Sequence, residues 1–188
     1  LISYNPAYSS VAPPDAHQRT VYIAGSAQEV KQCQIEYSLV NTVHYVSPDP
    51  DKVSPEQPNF DTGELLPHIA FTPYLRALTR EIVGNETNPL KKARKIYDFV
   101  TTKVVYSYMR SYVSLPVIPE YCASRLRGDC GVQALTFITM CRIAGIPARW
   151  QSGLYADWRS ADSHDWAMFY VAPYGWMYCD CSFGGAAW

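Results

Sequence analysis

No stretch of this sequence strings together the roughly 18 apolar residues that a membrane-crossing helix needs, so no membrane insertion is expected. An excess of charge of one sign is lacking too. Sixteen Lys and Arg stand against seventeen Asp and Glu, a formal net charge of −1, and no basic run breaks the balance. A nucleic-acid partner would require a positive footprint, so none is expected. There is no C-x-x-C pair. The Cys179-x-Cys181 pair is expected to turn its thiols to opposite faces of a strand. No zinc site is read from it, and no metal or other cofactor is expected. The charged share, 18%, is too low and the hydrophobic share, 48%, too high for a disordered chain. The chain opens at Leu1 with neither a methionine nor a signal-peptide pattern and closes at Trp188 just past a strand-like stretch. It is expected to be a piece of a longer protein, and such a piece names no compartment.

What is present suits one core. The 188 residues are enough for one core and short for two. Six cysteines, at 33, 122, 130, 141, 179 and 181, make an even number, but a chain so well stocked with apolar residues does not need a disulfide framework. Residues 1–46 read as a β-rich segment, part of a larger module, with strands over Val21–Ile23 and Gln32–Tyr45. Residues 47–68, with five prolines, read as a linker or long loop, and 69–188 as the main domain. His44 and His68 have no partner in reach along the chain and are read as structural.

In the main domain, Thr72-Pro73 and Asn88-Pro89 each set a polar cap before a proline, the favoured start of a helix. Val104 to Tyr106 reads as extended. The stretch from Tyr108 to Cys122, with Pro116 and Pro119, shows no helical stripe and is expected to be a loop. It leads to the segment that carries the chemistry. Its side chains, including Tyr108, Arg110, Tyr112 and Tyr121, are placed to border the N-terminus of the next helix.

That segment is Gly128-Asp129-Cys130-Gly131-Val132-Gln133-Ala134, trailed by an apolar run closed by Gly145 and Pro147. Cys130 falls in the first turn of a buried helix, where the macrodipole is expected to favour the thiolate, the nucleophilic form. Asp129 either caps the helix or opposes the thiolate, and capping is the favoured reading. The backbone N–H of Cys130 is a ready oxyanion donor, because first-turn amides lack helical partners.

After Pro147 the pattern turns to strands: Ala148–Leu154, then Ser163–Val171, a turn at Pro173-Tyr174-Gly175, and Trp176–Cys179. His164 opens the second of these and Asp180 follows the third. A thiol nucleophile needs a base, and the imidazole needs an acceptor that fixes its tautomer. Register decides whether the two meet. If Val171 pairs with Trp176, Asp180 points away from His164. A loop of odd length, or one bulge, puts both on one face, and such an irregularity is expected.

Gly-Asp-Cys-Gly at a helix start, Gly-Ile-Pro-Ala-Arg leaving it, His-Asp-Trp on the next strand and Gly-Trp-x-x-x-Asp on the one after resemble the transglutaminase-like superfamily. More narrowly, they look like its bacterial members described as cysteine proteases. The resemblance implies an α+β fold with a papain-like core: a nucleophile helix packed on an antiparallel sheet. By position it makes Cys130 the nucleophile, His164 the general base and acid, and Asp180 the orienting group. Tyr108, Tyr121, Trp150 and Trp166 are the expected substrate-binding residues, and Trp150 and Trp166 are also candidates for a side-chain oxyanion donor. The implied activity is acyl transfer on a peptide or protein substrate. Hydrolysis is favoured, because no calcium-loop pattern of closely spaced acids is present. Amine transfer, as in a crosslinking transglutaminase, is the alternative, and a non-catalytic binding or structural module retaining the fold is a third reading.

Overall fold

In the computed structural model, which describes residues 3–5, 9–13, 21–31, 34–36, 46–186 and 188, the N-terminal alternating stretches form short antiparallel pairs. β1 (Ser3–Asn5) and β2 (Ser9–Val11) come first, then β3 (Val21–Ile23), α1 (Ala27–Lys31) and β4 (Gln34–Glu36). β1 pairs with β4 and β2 with β3. A reciprocal cap starts α1: the Ser26 amide donates to Glu29 Oε2 at 2.7 Å, and the Glu29 amide to Ser26 Oγ at 3.4 Å. Of the strand expected over Gln32–Tyr45, residues 34–36 are extended and the remainder lies outside the described residues, as does His44. Residues 1–45 form one compact unit and residues 46–188 a second.

The second unit begins with residues 46–68. The Ser54 amide donates to the carbonyl of Ala172, the Asp49 amide to the Tyr174 hydroxyl, and Val53 is buried. α2 (Pro73–Val83) starts where Thr72 Oγ1 accepts from the Leu75 amide at 3.2 Å. α3 (Pro89–Lys103) starts where Asn88 Oδ1 accepts from Leu90 and Lys91. α3 buries Leu90, Ala93, Ile96, Tyr97 and Val100, while Arg94 pairs with Asp98 on its wet face. β5 (Val105–Tyr106) comes next.

The expectation of a loop throughout Tyr108–Cys122 is corrected here. α4 spans Ile118–Arg125 and buries Ile118, Pro119, Cys122 and Ala123. Pro119 sits in its first turn, where the missing amide hydrogen costs nothing, so the proline starts the helix and does not break it. β6 (Arg127–Gly128) pairs in parallel with β5.

α5 (Cys130–Ile143) is the centre of the unit. It is buried on every side from Gly131 to Arg142, as a helix without a polar face must be. It packs against α2, α3, α4 and a sheet of β7 (Ala148–Ala156), β8 (Ala161–Val171) and β9 (Gly175–Cys179), in the order β7-β8-β9, all antiparallel. Alternation sends Ala167, Phe169 and Val171 of β8 toward α5, where all three are buried and Phe169 meets Phe137 edge-on at 5.8 Å. Each such ring or branched chain removed from water contributes about 1.5–3 kcal/mol. Trp166, Met168 and Tyr170 lie on the other face, where Tyr170 packs edge-on against Phe60 at 5.1 Å.

Candidate active site

The β8–β9 hairpin brings one pair of expected residues together. Val171 pairs with Gly175, so the loop holds three residues, Ala172 to Tyr174, an odd number, and Gly175 takes φ +85° to close it. The expected irregularity is thus the loop itself, with no bulge in the ladder. The register runs on to Ala167 opposite Cys179. One step further, Asp180 stands opposite Trp166 and shares a face with His164. His164 Nε2 lies 2.6 Å from Asp180 Oδ2, with both side chains largely buried.

Cys130 is set by different elements. The β5–β6 pairing places Tyr106 opposite Gly128, and the Ser107 amide donates to the Gly128 carbonyl at 3.1 Å. Gln133 Nε2 donates to the same carbonyl at 3.0 Å. Asp129 is the N-cap of α5: its Oδ1 accepts from the Val132 amide at 3.0 Å and from the Tyr112 hydroxyl at 2.5 Å. Gly131 has no room for a side chain. A Cβ there would meet the Tyr112 hydroxyl, Asp165 Oδ2 at 2.9 Å and Trp150 Cη2 at 2.9 Å. The start of α5 therefore abuts the β7–β8 ladder at Trp150 and Asp165. Gly131→Ala should push these groups off the Cys130 turn and, if Cys130 is the nucleophile, lower turnover by about one to two orders of magnitude. Turnover and Cys130 alkylation, measured side by side, check this.

Electrostatics corrects the expectation of a favoured thiolate. Burial pushes the Cys130 thiol above its ordinary value, and the carboxylates of Asp165 and Asp129 push it further. The backbone amides of Asp165 and Gly131 oppose them without prevailing. Asp129 thus does both things the sequence allowed: it caps the helix and it opposes the thiolate. Asp165 is itself raised, chiefly by burial and also by Asp129, against a hydrogen bond from Ser152 and the neighbouring His164. The sign for the thiol is plain. A raised pKa means less thiolate at neutral pH, so alkylation of Cys130 should climb as pH rises beyond the usual cysteine range. Asp165→Asn removes one raising charge. It should speed alkylation at fixed pH by several-fold and shift the profile to lower pH. A peptide-mapped iodoacetamide time course tests both. Cys122, pushed up to about 12 by burial, and the buried Cys141 and Cys179 are poor competitors.

Tyr106 was missed from sequence. Its phenol is raised first by burial, then by the Cys130 and Asp129 charges, and it interacts with both the thiol and the amide of Cys130. Only its place in a two-residue parallel ladder beside Gly128 reveals this, and so short a ladder leaves no pattern in the sequence. Asp165 was also missed: strand alternation sets it on the β8 face opposite His164, and that is the face that meets the start of α5.

The other expected residues separate. Trp150 turns the far edge of its ring, not its indole N–H, toward Gly131. Trp166 stacks on His164 with ring centroids 6.1 Å apart. Tyr108 is 96% exposed, and Tyr121 lies on α4 against the core. Cys179 and Cys181 are not turned apart as expected. Their Sγ atoms are 3.9 Å from one another in the core, because residues two apart on an extended chain share a face. Among the described residues no group of three or more His, Cys, Asp or Glu is placed to hold a metal. Among the same residues no hydrogen bond joins Cys130 to His164, and the β8 residue that acts on the thiol is Asp165, next along the chain.

A family model described as the transglutaminase-like superfamily matches residues 76–181. No curated protein matches the chain significantly. Among solved structures, a protein described as a candidate cysteine protease from Cytophaga hutchinsonii superposes with a TM-score of 0.51 at 22% identity, covering 63% of this chain and 42% of its own. The periplasmic domain of TgpA from Pseudomonas aeruginosa gives 0.54 at 18% identity over 63% of this chain and 46% of its own. The same domain bound to ethylmercury gives 0.53 at 18% identity over 70% and 48%. The chain spans less than half the length of each of these proteins, and at these identities the likeness is one of fold.

Proposed function

We propose, because the chain belongs to the transglutaminase-like superfamily, that it is a thiol-dependent acyl-transfer enzyme acting on peptide or protein amides through Cys130, His164 and Asp180. The observation that carries the reading is the 2.6 Å bond between His164 Nε2 and Asp180 Oδ2, on the β8 face opposite Asp165, which itself meets the start of α5. With Nε2–H donated to the carboxylate, Nδ1 is left as the basic nitrogen. Cys130 Sγ attacks the carbonyl carbon and gives its proton to Nδ1, a transfer that requires the imidazole to swing toward Cys130 from the β8 face it shares with Trp166. The raised thiol makes this a proton transfer during attack and not the discharge of a stored thiolate. Negative charge gathers on the carbonyl oxygen, where the Cys130 amide is the backbone donor and the Tyr106 hydroxyl the candidate side-chain donor. The imidazolium, steadied by Asp180, then protonates the leaving nitrogen. The C–N bond breaks and a thioester remains on Cys130. Water, deprotonated by His164, hydrolyses the thioester, and Cys130 recovers its proton.

Hydrolysis is the favoured outcome, and resolution by a primary amine is the alternative for the same thioester. Tyr108, Tyr121, Trp150 and Trp166 are proposed to contact substrate. Incubation with peptide libraries, with and without a primary amine, read by mass spectrometry, separates cleavage, deamidation and amine incorporation. The non-catalytic reading predicts no product in any arm and Cys130 labelling no faster than that of Cys141.

A further inference from the structure

Asp180 uses both of its oxygens. Oδ2 faces His164, while Oδ1 accepts from the Ser182 amide at 2.9 Å and from the Ser182 hydroxyl at 2.6 Å. Asp180 is therefore the cap of the short 3-10 turn Cys181–Phe183. The turn is anchored by Cys181, which is 3% exposed and packs beside α5. It carries Phe183 to the His164 ring, with centroids 5.6 Å apart at 63°. Tyr155 closes on His164 at 6.1 Å and on Phe183 at 5.8 Å.

We propose that Ser182 is a positioning residue that holds the Asp180 carboxylate on His164. The proposal rests on the reading of His164 and Asp180 as the catalytic pair. The terminal torsion of an Asp side chain is soft, with a broad two-fold profile. A carboxylate tied only to His164 would swing and break that bond. Two donors on the opposite oxygen remove that freedom, and hydrogen bonds to an ionised acceptor are the strong kind. The hydroxyl is the adjustable part of the clamp. Ser182→Ala deletes its 2.6 Å bond and leaves the backbone amide, so the turn itself persists. Phe183 and Tyr155 box the imidazole from outside, so the clamp acts on a ring already confined.

The test compares Ser182→Ala and Ser182→Thr with the wild-type chain. Ser182→Ala should lower kcat about tenfold, with KM unchanged within about twofold and Tm unchanged within about two degrees. Ser182→Thr, which keeps the hydroxyl, should restore kcat. A readout free of activity accompanies it: the downfield proton resonance of the His164–Asp180 hydrogen bond, identified by its loss in Asp180→Asn. It should broaden in Ser182→Ala through faster exchange with water and sharpen again in Ser182→Thr. Wild-type kcat with an unchanged resonance in Ser182→Ala overturns the positioning role and leaves the acyl-transfer reading standing. A fall in Tm in both variants, with no rescue by Thr, overturns it in favour of turn stability alone. A wild-type chain that shows the resonance pattern without turnover sinks the acyl-transfer reading and leaves the clamp standing.

Discussion

Cys130→Ala should bring acyl transfer below detection while the fold keeps its stability to within about 1 kcal/mol. The two effects separate because of where the residue sits. Cys130 is the first residue of α5 and is half-buried, whereas the packing of α5 comes from the fully buried side chains after it, Val132, Phe137, Ile138 and Met140. Removing one sulfur at the helix mouth opens little cavity. The cap from Asp129 to the Val132 amide does not involve the side chain at 130. Tyr106, which loses its sulfur neighbour, is 56% exposed and finds water in its place. The chemistry has no such substitute. Alanine cannot form a thioester, and among the described residues no other cysteine can stand in, since Cys122, Cys141, Cys179 and Cys181 are buried. Residual general catalysis without a nucleophile is worth little where a covalent intermediate is the route. Turnover by mass spectrometry and the thermal midpoint by circular dichroism check the two halves. Persistent turnover would mean that the thiol is not the nucleophile.

Asp180→Asn should leave the fold intact and cut kcat by about 10³–10⁴. The direction comes from the bonds around the side chain. Ser182 presents two donors, its amide and its hydroxyl, to Oδ1. An asparagine keeps its carbonyl oxygen toward those donors, so its NH₂ group faces His164. Nε2 must then accept and Nδ1 must carry the proton. A protonated Nδ1 cannot take the proton of Cys130. The imidazolium that forms during attack also loses its counter-charge. Since the thiol starts above its ordinary value, little thiolate is in reserve to bypass the base. The loss belongs in kcat, with KM little changed, because the side chain is turned toward His164 and Ser182. A near-normal rate would show that another group orients His164.

Those two outcomes differ in how far the sequence announced them. Helix starts at Thr72-Pro73 and Asn88-Pro89 were legible because a polar cap before proline is a local device, complete within a few residues. The burial of α5 was legible from a run with almost no charged residue. The strands of β7, β8 and β9 were legible from turn residues and apolar content. α4 was not, because Pro116 ahead of it and Pro119 within it read as breakers until Pro119 is placed in a first turn. The thiol's rise was not legible either. Two of its causes, burial and Asp165, come from β8 lying against the mouth of α5. The fellowship of Cys179 and Cys181 in the core was within reach of strand alternation and was read the wrong way.

The sequence by itself determined which residue types could do the chemistry. It held a cysteine at a helix mouth, a histidine and an aspartate on neighbouring strands, and an acid that could cap, since each depends on local order along the chain. Tertiary structure alone decided which of them meet. A loop of three residues between Val171 and Gly175 put Asp180 on the face of His164, and one residue more or fewer would have turned it away. The packing of β8 on α5 brought Asp165 to Cys130, and the β5–β6 ladder set Tyr106 beside it. Local order is governed by neighbours in the chain. Proximity is governed by register and burial, which no short window of sequence contains.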